Sequence, residues 1–280
     1  MADATTTDAV RTPRVSGRLK RSLKGAYTIW YRDVLRFLTD RTRMVSSIAQ
    51  PLLFLVVFGT GLASAISNLG GGAFDYRVFM FPGILAMTVL FTSVFSAISI
   101  VWDREFGFLK EVMVAPVTRT SVAIGKVLGG STVAMLQGTI LLLLAPFIGI
   151  SLSISQILLV MVLMLLLAAM MSAFGILLAA RQKTMEGFQM IMNFLLMPML
   201  FISGAFFPLT DVPGWLEFLA RLNPVTYGVD AIRQVMLAGS APDAALEAIS
   251  LNSLGVDVLV MLGFLVAFLV PAVWLFSRRD

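Results

Sequence analysis

The 280-residue sequence contains no cysteine and no histidine. Without cysteine it can form neither a disulfide nor a thiolate site, and without histidine it lacks the commonest general base and metal ligand. Charged residues are also scarce, at 13% of the chain, against about a quarter in a soluble domain. We therefore expect no catalytic residues and no metal site, and a membrane enzyme is disfavoured.

Apolar residues dominate what is present. They make up 58% of the chain, and the mean hydropathy is +0.91. Because the apolar runs are about 20 residues long, they predict membrane-spanning helices rather than a barrel. The expected fold class is an all-α integral membrane protein with six transmembrane helices. The predicted spans cover residues 44–66, 79–101, 122–150, 155–180, 187–207 and 254–276.

The N-terminal part divides in two before this six-helix domain of residues 44–280. Residues 1–16 are small, polar and charged without the apolar run of a signal peptide, so we expect a disordered cytoplasmic tail. Residues 17–43 predict a basic amphipathic connecting helix that lies in the membrane interface. Its apolar face would consist of Leu19, Leu23, Tyr27, Trp30, Val34 and Leu38.

The basic residues indicate the orientation. The sequence pI is about 9.9, but lysine and arginine cluster beside the predicted spans, which favours membrane topology and lipid headgroups over nucleic acid. Eighteen of the 21 lysines and arginines fall on the side of both termini. We therefore expect a multi-pass protein of the cell (inner or plasma) membrane with both termini in the cytoplasm.

The most charged stretch within the apolar bulk is WDREFGFLKEVMVAPVTR, residues 102–119. Apolar residues at i, i+3 and i+7 predict a short amphipathic helix over 103–114, and Pro116 would end it. The stripe consists of Phe106, Leu109 and Met113. An ordinary charged loop that only sets topology is the alternative interpretation.

The spacing Asp103-Arg104-Glu105-x-Gly107-x-Leu109-Lys110, followed by Pro116-x-x-Arg119, resembles the signature of type-2 ABC transporter permeases, which include daunorubicin-resistance and polysaccharide exporters. The resemblance implies a coupling helix that docks into a separate ABC ATPase subunit. The implied ATPase-coupling residues are Asp103, Arg104, Glu105, Phe106, Gly107, Leu109, Lys110, Pro116 and Arg119.

The resemblance also implies the partners. Two ATPase subunits would hold ATP and magnesium, so no cofactor is expected in this chain, and a second permease copy would complete a homodimer or heterodimer within the membrane lipid. The sequence itself also indicates that this chain does not bind ATP through a phosphate loop. Gly125-Lys126 is its only Gly-Lys pair, and the G-x-x-x-x-G-K-[ST] motif is absent. Lys126 lies one turn into its span and is expected to reach towards the cytoplasmic surface.

Residues 209–237 carry two short helical patterns that Pro213-Gly214 and Asn223-Pro224 delimit. The patterns cover 215–222 and 225–237, too short to span, so we expect interfacial or re-entrant helices. They also resemble the family's recurrent element before the last span, which implies an external cap on the translocation path. The resembling residues are Asn223, Pro224, Tyr227, Asp230 and Arg233.

By resemblance, the second and fifth spans line a substrate path between protomers. Candidate path residues are Phe91, Phe95, Asn193 and Phe201. The amides of Gln189 and Asn193 are costly against lipid, so we expect them to face protein or a cavity. Small residues at Gly125-x-x-x-Gly129 predict a close helix approach.

The expected function is the membrane subunit of an ATP-driven exporter that works by alternating access. Spans rich in methionine and phenylalanine suit a lipophilic drug or a lipid, and a polysaccharide is the alternative substrate. The alternative function is a self-contained secondary transporter or channel, which would need ionisable residues at the midplane. Lys126, Glu186 and Asp257 lie near the edges of their predicted spans, which disfavours it.

Overall fold

A computed structural model of the chain describes residues 15–68, 76–105, 119–210, 212–239, 246 and 249–278. These residues form helices and connecting turns without a β-strand, which confirms the all-α prediction. The helices are α1 (Val15–Thr39), α2 (Arg41–Asn68), α3 (Tyr76–Ser96), α4 (Ile98–Glu105), α5 (Arg119–Leu142), α6 (Ile154–Ala179), α7 (Met185–Ile202), α8 (Gly214–Leu222), α9 (Pro224–Leu237) and α10 (Leu254–Arg278). A 3₁₀ turn, Ala145–Ile148, follows α5.

The centre of the bundle is formed by α3, α5 and α6, which pack on one another, and by α9, which packs on α3 and α6. Every residue of α3 from Phe79 to Leu90 is buried, as expected for a helix that is apolar on all sides. The outer helices α2, α7 and α10 instead expose large apolar side chains such as Val56, Phe194 and Leu259. Apolar faces of this kind are favourable in contact with lipid and unfavourable in contact with water.

Five stretches of the described residues are long and apolar enough to cross a membrane. They are Met44–Gly61, Tyr76–Glu105, Ile154–Ala179, Met185–Ile202 and Leu254–Leu275. The predicted span 122–150 is not among them. Its helix, α5, ends at Leu142 instead of residue 150, because the chain tightens into the 3₁₀ turn that contains Pro146.

The helix α5 nevertheless runs the length of the bundle, antiparallel to α3 and α4. Near its start, Lys126 Nζ lies 2.7 Å from Ser99 Oγ; eleven residues later, Gln137 accepts a hydrogen bond from Thr92. Its 24 residues extend about 36 Å, more than the roughly 30 Å hydrocarbon layer. Its small and polar residues face other helices, so its low hydropathy does not reflect contact with water.

The predicted second span, 79–101, is interrupted at Ala97, between α3 and α4. The Ala97 N–H bonds to Val94 O at 3.1 Å, an i−3 bond that tightens the turn. Serine hydroxyls reinforce the break, since Ser96 Oγ donates to Ser93 O at 2.6 Å and Ser99 Oγ donates to Ser96 O at 2.9 Å. Side-chain bonds of this kind compete with the helical ladder and bend helices.

The predicted connecting helix, 17–43, differs from the structure in its bounds. Helix α1 begins at Val15 and ends at Thr39, and α2 begins at Arg41. Residues 1–14 of the expected tail lie outside the described residues. Leu23, Tyr27 and Leu38 of the expected apolar face are 63%, 60% and 51% exposed, so they are available to the membrane interface. Trp30 of the same face is half-buried, and its Nε1 donates to Thr132 Oγ1 of α5 at 2.9 Å. The helix instead buries Gly25, Ala26 and Phe37.

Close packing on α5 explains that choice of face. A side chain added at Gly125 would place its Cβ only 2.7 Å from Ala26 O, and one at Gly129 would lie 3.1 Å from Asp33 Cβ. The backbones therefore approach where α5 carries glycine, as the Gly125-x-x-x-Gly129 spacing predicted. A small residue on α1 fits this contact better than the large apolar side chains of the predicted stripe.

The last elements match the short helical patterns closely. Helix α8 starts after Pro213, and α9 starts at Pro224 with Asn223 as its N-cap, accepting from Val225 N–H at 3.1 Å. The predicted span 187–207 ends early, at Ile202. Gly204 then takes a φ of 76°, a conformation that glycine adopts without strain and that turns the chain towards α9.

Candidate functional site

Asp103, Arg104 and Glu105 form the last turn of α4 and so continue the second span. Arg104 Nη1 donates to the carbonyls of Ala179 and Ala180 at 3.3 and 3.1 Å. Glu105 accepts from the Met185 N–H at 2.8 Å. These bonds tie the end of α4 to the turn between α6 and α7.

The rest of the predicted coupling segment cannot be placed in the same way. Phe106, Gly107, Leu109, Lys110 and Pro116 lie outside the described residues, and Arg119 is described only as the first residue of α5.

Lys126 lies inside the bundle and does not reach the surface as expected. Its side chain is 3% exposed, and Nζ lies 3.1 Å from Asp33 Oδ2 and 3.2 Å from Oδ1. The Ser99 hydroxyl accepts a third bond at 2.7 Å. Because Asp33 belongs to α1, Lys126 to α5 and Ser99 to α4, the ion pair joins three helices at one buried point.

Two further charges extend this cluster towards the predicted coupling segment. Arg32 Nη2 lies 3.8 Å from Asp103 Oδ2, and Arg32 Nε lies 3.7 Å from Asp33 Oδ1. The arginine is about half exposed, so its contacts are weaker than the buried pair. The chain Lys126–Asp33–Arg32–Asp103 nevertheless connects the bundle interior with the end of α4.

Two of the predicted path residues lie together. The rings of Phe91 and Phe95 are 6.2 Å apart and nearly parallel, and both line a cavity of about 190 Å³. The neighbouring wall is polar: it includes Gln50 of α2 and the hydrogen-bonded pair of Thr92 and Gln137. The cavity thus offers aromatic faces beside uncharged hydrogen-bonding groups.

The other two predicted path residues, Asn193 and Phe201, lie on the outward face of α7. Phe201 is 50% exposed, and its ring lies 5.4 Å from that of Phe206. They do not line the cavity beside Phe91. Gln189 lines a separate cavity, while Asn193 is exposed in the single chain.

The five residues of the element before the last span all lie in α9 or at its N-terminus, and four of them bond to different neighbours. Asn223 Nδ2 donates to Met199 O at 2.6 Å, and the Tyr227 hydroxyl donates to Arg221 O at 2.6 Å. Asp230 accepts from the N–H groups of Leu251 and Asn252 at 2.9 and 3.1 Å. Arg233 donates to Gly204 O at 2.6 Å and lies over the Phe79 ring at 4.1 Å. Pro224 occupies the first position of the helix.

Burial changes the pKa values of two charged groups in this element. It lowers the pKa of the Arg233 guanidinium to about 10, against the opposing effects of Asp230 and Tyr76, so the group stays protonated at neutral pH. Burial also raises the pKa of the Asp230 carboxyl, and the amide bonds from Asn252 and Leu251 oppose that rise. The element is therefore a buried polar network within the bundle.

Sequence reasoning missed Asp33, Ser99 and Gln137. A signal existed for Asp33, which is the only acidic residue of α1 among many basic ones; a lone acid in a basic helix indicates a specific partner. No comparable signal distinguishes Ser99 or Gln137 from other polar residues in spans. Among the described residues, no group of three or more acidic side chains could hold a metal ion.

Comparison with known proteins shows which family this chain is similar to. A family model described as ABC-2 type transporter matches residues 25–237. The protein named transport permease ycf38 of Cyanophora paradoxa is 36% identical over 195 residues, which are 68% of this chain and 66% of that protein. Its namesake in Pyropia yezoensis is 31% identical over 206 residues, 72% of this chain and 70% of that protein. Inner membrane transport permease YadH of Escherichia coli strain K12 is 26% identical over 208 residues, with shares of 74% and 80%.

Proposed function

The chain belongs to the ABC-2 type transporter family, and from that premise we propose that it is the membrane subunit of an ATP-driven exporter. Two permease copies, identical or different, would assemble with two separate ATPase subunits that hold ATP and magnesium. The observation that carries the proposal is the match over residues 25–237, which encloses the whole predicted coupling segment, 103–114. Relatives named as transport permeases agree with a chain that has no catalytic activity of its own.

The position of Lys126 supports a separate ATP site. It belongs to the only Gly-Lys pair of the chain, and its ammonium group is held by Asp33 and Ser99 inside the bundle. A phosphate-binding lysine must instead present its ammonium group to the nucleotide.

The bonds around the end of α4 support a mechanical route for coupling. Arg104 and Glu105 hold the turn before α7, while α4 continues into α3, so force applied just after Glu105 reaches the second and fifth spans together. ATP-driven closure of the ATPase pair would push this point. The bundle would then change between inward-facing and outward-facing states, as a two-state element biased from a distant site.

We propose that α5 is the sixth span, in a cell membrane with both termini cytoplasmic. Its length and its antiparallel packing on α3 and α4 support this. The helical contacts gather Asp33, Arg104 and Lys126 at one end of the bundle and Gly204 and Arg233 at the other. This grouping matches the cytoplasmic and external sides that the charge distribution indicates. Helices α8 and α9 would be the external re-entrant cap.

The proposed substrate is a hydrophobic drug-like molecule or a lipid, moved out of the cytoplasm or the inner leaflet. The path would run between protomers, with the Phe91 and Phe95 cavity on one wall and the exposed Asn193–Phe201 face of α7 on the other. Stacked aromatic rings favour an apolar cargo. The amide and hydroxyl groups beside them suit the alternative cargo, a polysaccharide.

The test is reconstitution with the ATPase encoded beside this chain. Glu105→Ala removes the carboxylate that holds Met185 N–H, and we expect it to abolish substrate-stimulated ATP hydrolysis while membrane insertion stays intact; Gly107→Leu should act likewise. Glu186→Ala, an exposed acid in the first turn of α7, is the matched control and should keep stimulation. Normal transport by Glu105→Ala would contradict the proposal.

A secondary transporter or channel predicts a different outcome. The purified chain, without any ATPase subunit, would then move its cargo against a gradient. A screen of hydrophobic drugs, lipids and oligosaccharides for stimulated ATP hydrolysis would identify the cargo class in the same preparation.

A further inference from the structure

A cavity of about 390 Å³ lies among α1, α3, α4, α5 and α7. Its size falls within the range of small-molecule sites. One part of the wall is apolar and includes Phe37, Phe95 and Val133; another part carries the guanidinium of Arg36 and the amide of Gln189. A wall of this kind fits a molecule with a polar head and a hydrocarbon tail.

The two polar groups retain free hydrogen-bonding capacity. Within the described part of the chain, the Arg36 guanidinium makes no hydrogen bond or ion pair, and its central carbon lies 5.7 Å from the centroid of the Trp102 ring. The side-chain amide of Gln189 is likewise without a hydrogen bond among the described residues. Asp33 also lines the cavity, but Lys126 already pairs with it, so it does not neutralise Arg36.

The cavity lies at the end of the bundle that carries the basic helix α1. Next to it, α1 exposes Tyr27, Tyr31 and Leu35, and aromatic side chains of this kind favour the membrane–water interface. Basic groups at that depth attract anionic lipid headgroups, which are enriched in the cytoplasmic leaflet. A soluble anion would gain nothing from the apolar wall.

We propose that this cavity binds an anionic phospholipid of the leaflet in which α1 lies. The phosphate accepts hydrogen bonds from Arg36 and Gln189, and the first part of an acyl chain lies against Phe37, Phe95 and Val133. Bound lipid would join α1 to α7 beside the end of α4. Phe95 also lines the cavity of the proposed export path, whereas Arg36 and Gln189 line only this one. Variants of Arg36 and Gln189 therefore test the lipid site separately from the exported cargo.

The test is a titration of the purified, delipidated chain with phosphatidylglycerol or phosphatidylcholine, followed by native mass spectrometry. Both lipids carry the phosphate, but in phosphatidylcholine the headgroup's own trimethylammonium offsets its charge. We therefore expect the first phosphatidylglycerol to bind about tenfold more tightly than phosphatidylcholine, a difference of about 1.4 kcal/mol. Arg36→Gln should remove this preference. Arg41→Gln loses the same charge at an exposed position outside the cavity and should keep it.

Three results would overturn the proposal: equal binding of both lipids, an equal loss in Arg41→Gln, or full competition by glycerol phosphate, which carries the headgroup anion without a chain. If Arg36→Gln is not monodisperse, Gln189→Leu tests the same phosphate from another helix. That variant should weaken phosphatidylglycerol binding several-fold, and unchanged phosphatidylglycerol binding would count against the site.

Discussion

The buried pair of Lys126 and Asp33 allows a direct test of how the bundle is held together. We consider Asp33→Asn, which leaves the Lys126 ammonium in place without its anionic partner. Because the lysine side chain is 3% exposed and its partner 17% exposed, water cannot replace the lost carboxylate. Removing one member of a buried ion pair lowers the free energy of unfolding by about 3–5 kcal/mol.

The reverse change, Lys126→Met, should cost less. It leaves Asp33 partly exposed and still 3.7 Å from Arg32, and methionine fills the space of the lysine stem. The double variant Asp33→Asn/Lys126→Met contains no unpaired buried charge. Replacing a buried ion pair with uncharged groups often changes the free energy of unfolding very little. We therefore expect the double variant to be more stable than Asp33→Asn alone.

The assay is thermal unfolding of the three variants in one detergent, with membrane insertion checked beforehand. At about 2–4 °C per kcal/mol for a chain of this size, Asp33→Asn should lower the Tm by about 6–20 °C. Glu217→Gln is the matched control, because it breaks an Arg221 pair of 2.8 Å whose side chains are 51% and 41% exposed. Glu217→Gln should lower the free energy of unfolding by less than about 1 kcal/mol.

Two outcomes would refute this reasoning. One is an Asp33→Asn variant whose Tm falls no further than that of Glu217→Gln. The other is a double variant whose loss in Tm equals the sum of the two single losses. Either result would mean that the two charges do not interact across α1 and α5.

Three further predictions concern the packing of the bundle and its cavity. Arg233→Met leaves the Gly204 carbonyl without its donor, so it should lower the free energy of unfolding by about 2 kcal/mol; an unchanged Tm would contradict the network. Gly125→Ala places a methyl 2.7 Å from α1 backbone and should destabilise by about 1–3 kcal/mol, whereas Gly255→Ala, with no atom within 4 Å, should not; equal thermal shifts would argue against close packing. Phe91→Ala removes one wall of the 190 Å³ cavity, and we expect it to change the ratio of ATPase stimulation by two hydrophobic drugs; an unaltered ratio would place the path elsewhere.

Hydrophobic length and breaker residues were the most reliable guides to the helices. The predicted spans 155–180 and 254–276 agree with α6 and α10 within two residues, because a bilayer demands about 20 apolar residues whatever they pack against. Pro213-Gly214 and Asn223-Pro224 located α8 and α9 for an equally local reason. The family was also readable from the residues between 103 and 119, and the match to the ABC-2 type transporter family confirms it.

Patterns of apolar residues did not indicate which face of a helix packs on other helices. The apolar stripe of α1, with Leu23, Tyr27 and Leu38, is exposed, and α1 packs on the bundle through Ala26 and Phe37. In a membrane protein, lipid as well as the core accepts apolar side chains, so hydrophobicity alone does not tell which face packs. The polar helix α5 shows the converse, since its glycines and Gln137 are satisfied by neighbouring helices.

The sequence by itself determined the helical class, the family, the spans 155–180 and 254–276, and the helix breaks at Pro213-Gly214 and Asn223-Pro224. Each of these depends on local chemistry or on the bilayer. Only the tertiary structure decided that Lys126 pairs with Asp33, that Phe91 and Phe95 share a cavity, and that Arg233 reaches Gly204. The Lys126 and Arg233 contacts join residues 93 and 29 positions apart, and the cavity beside Phe91 and Phe95 also needs Gln50 of α2 and Gln137 of α5. Partners on different helices are chosen by how backbones approach one another, and no spacing within one helix encodes that approach.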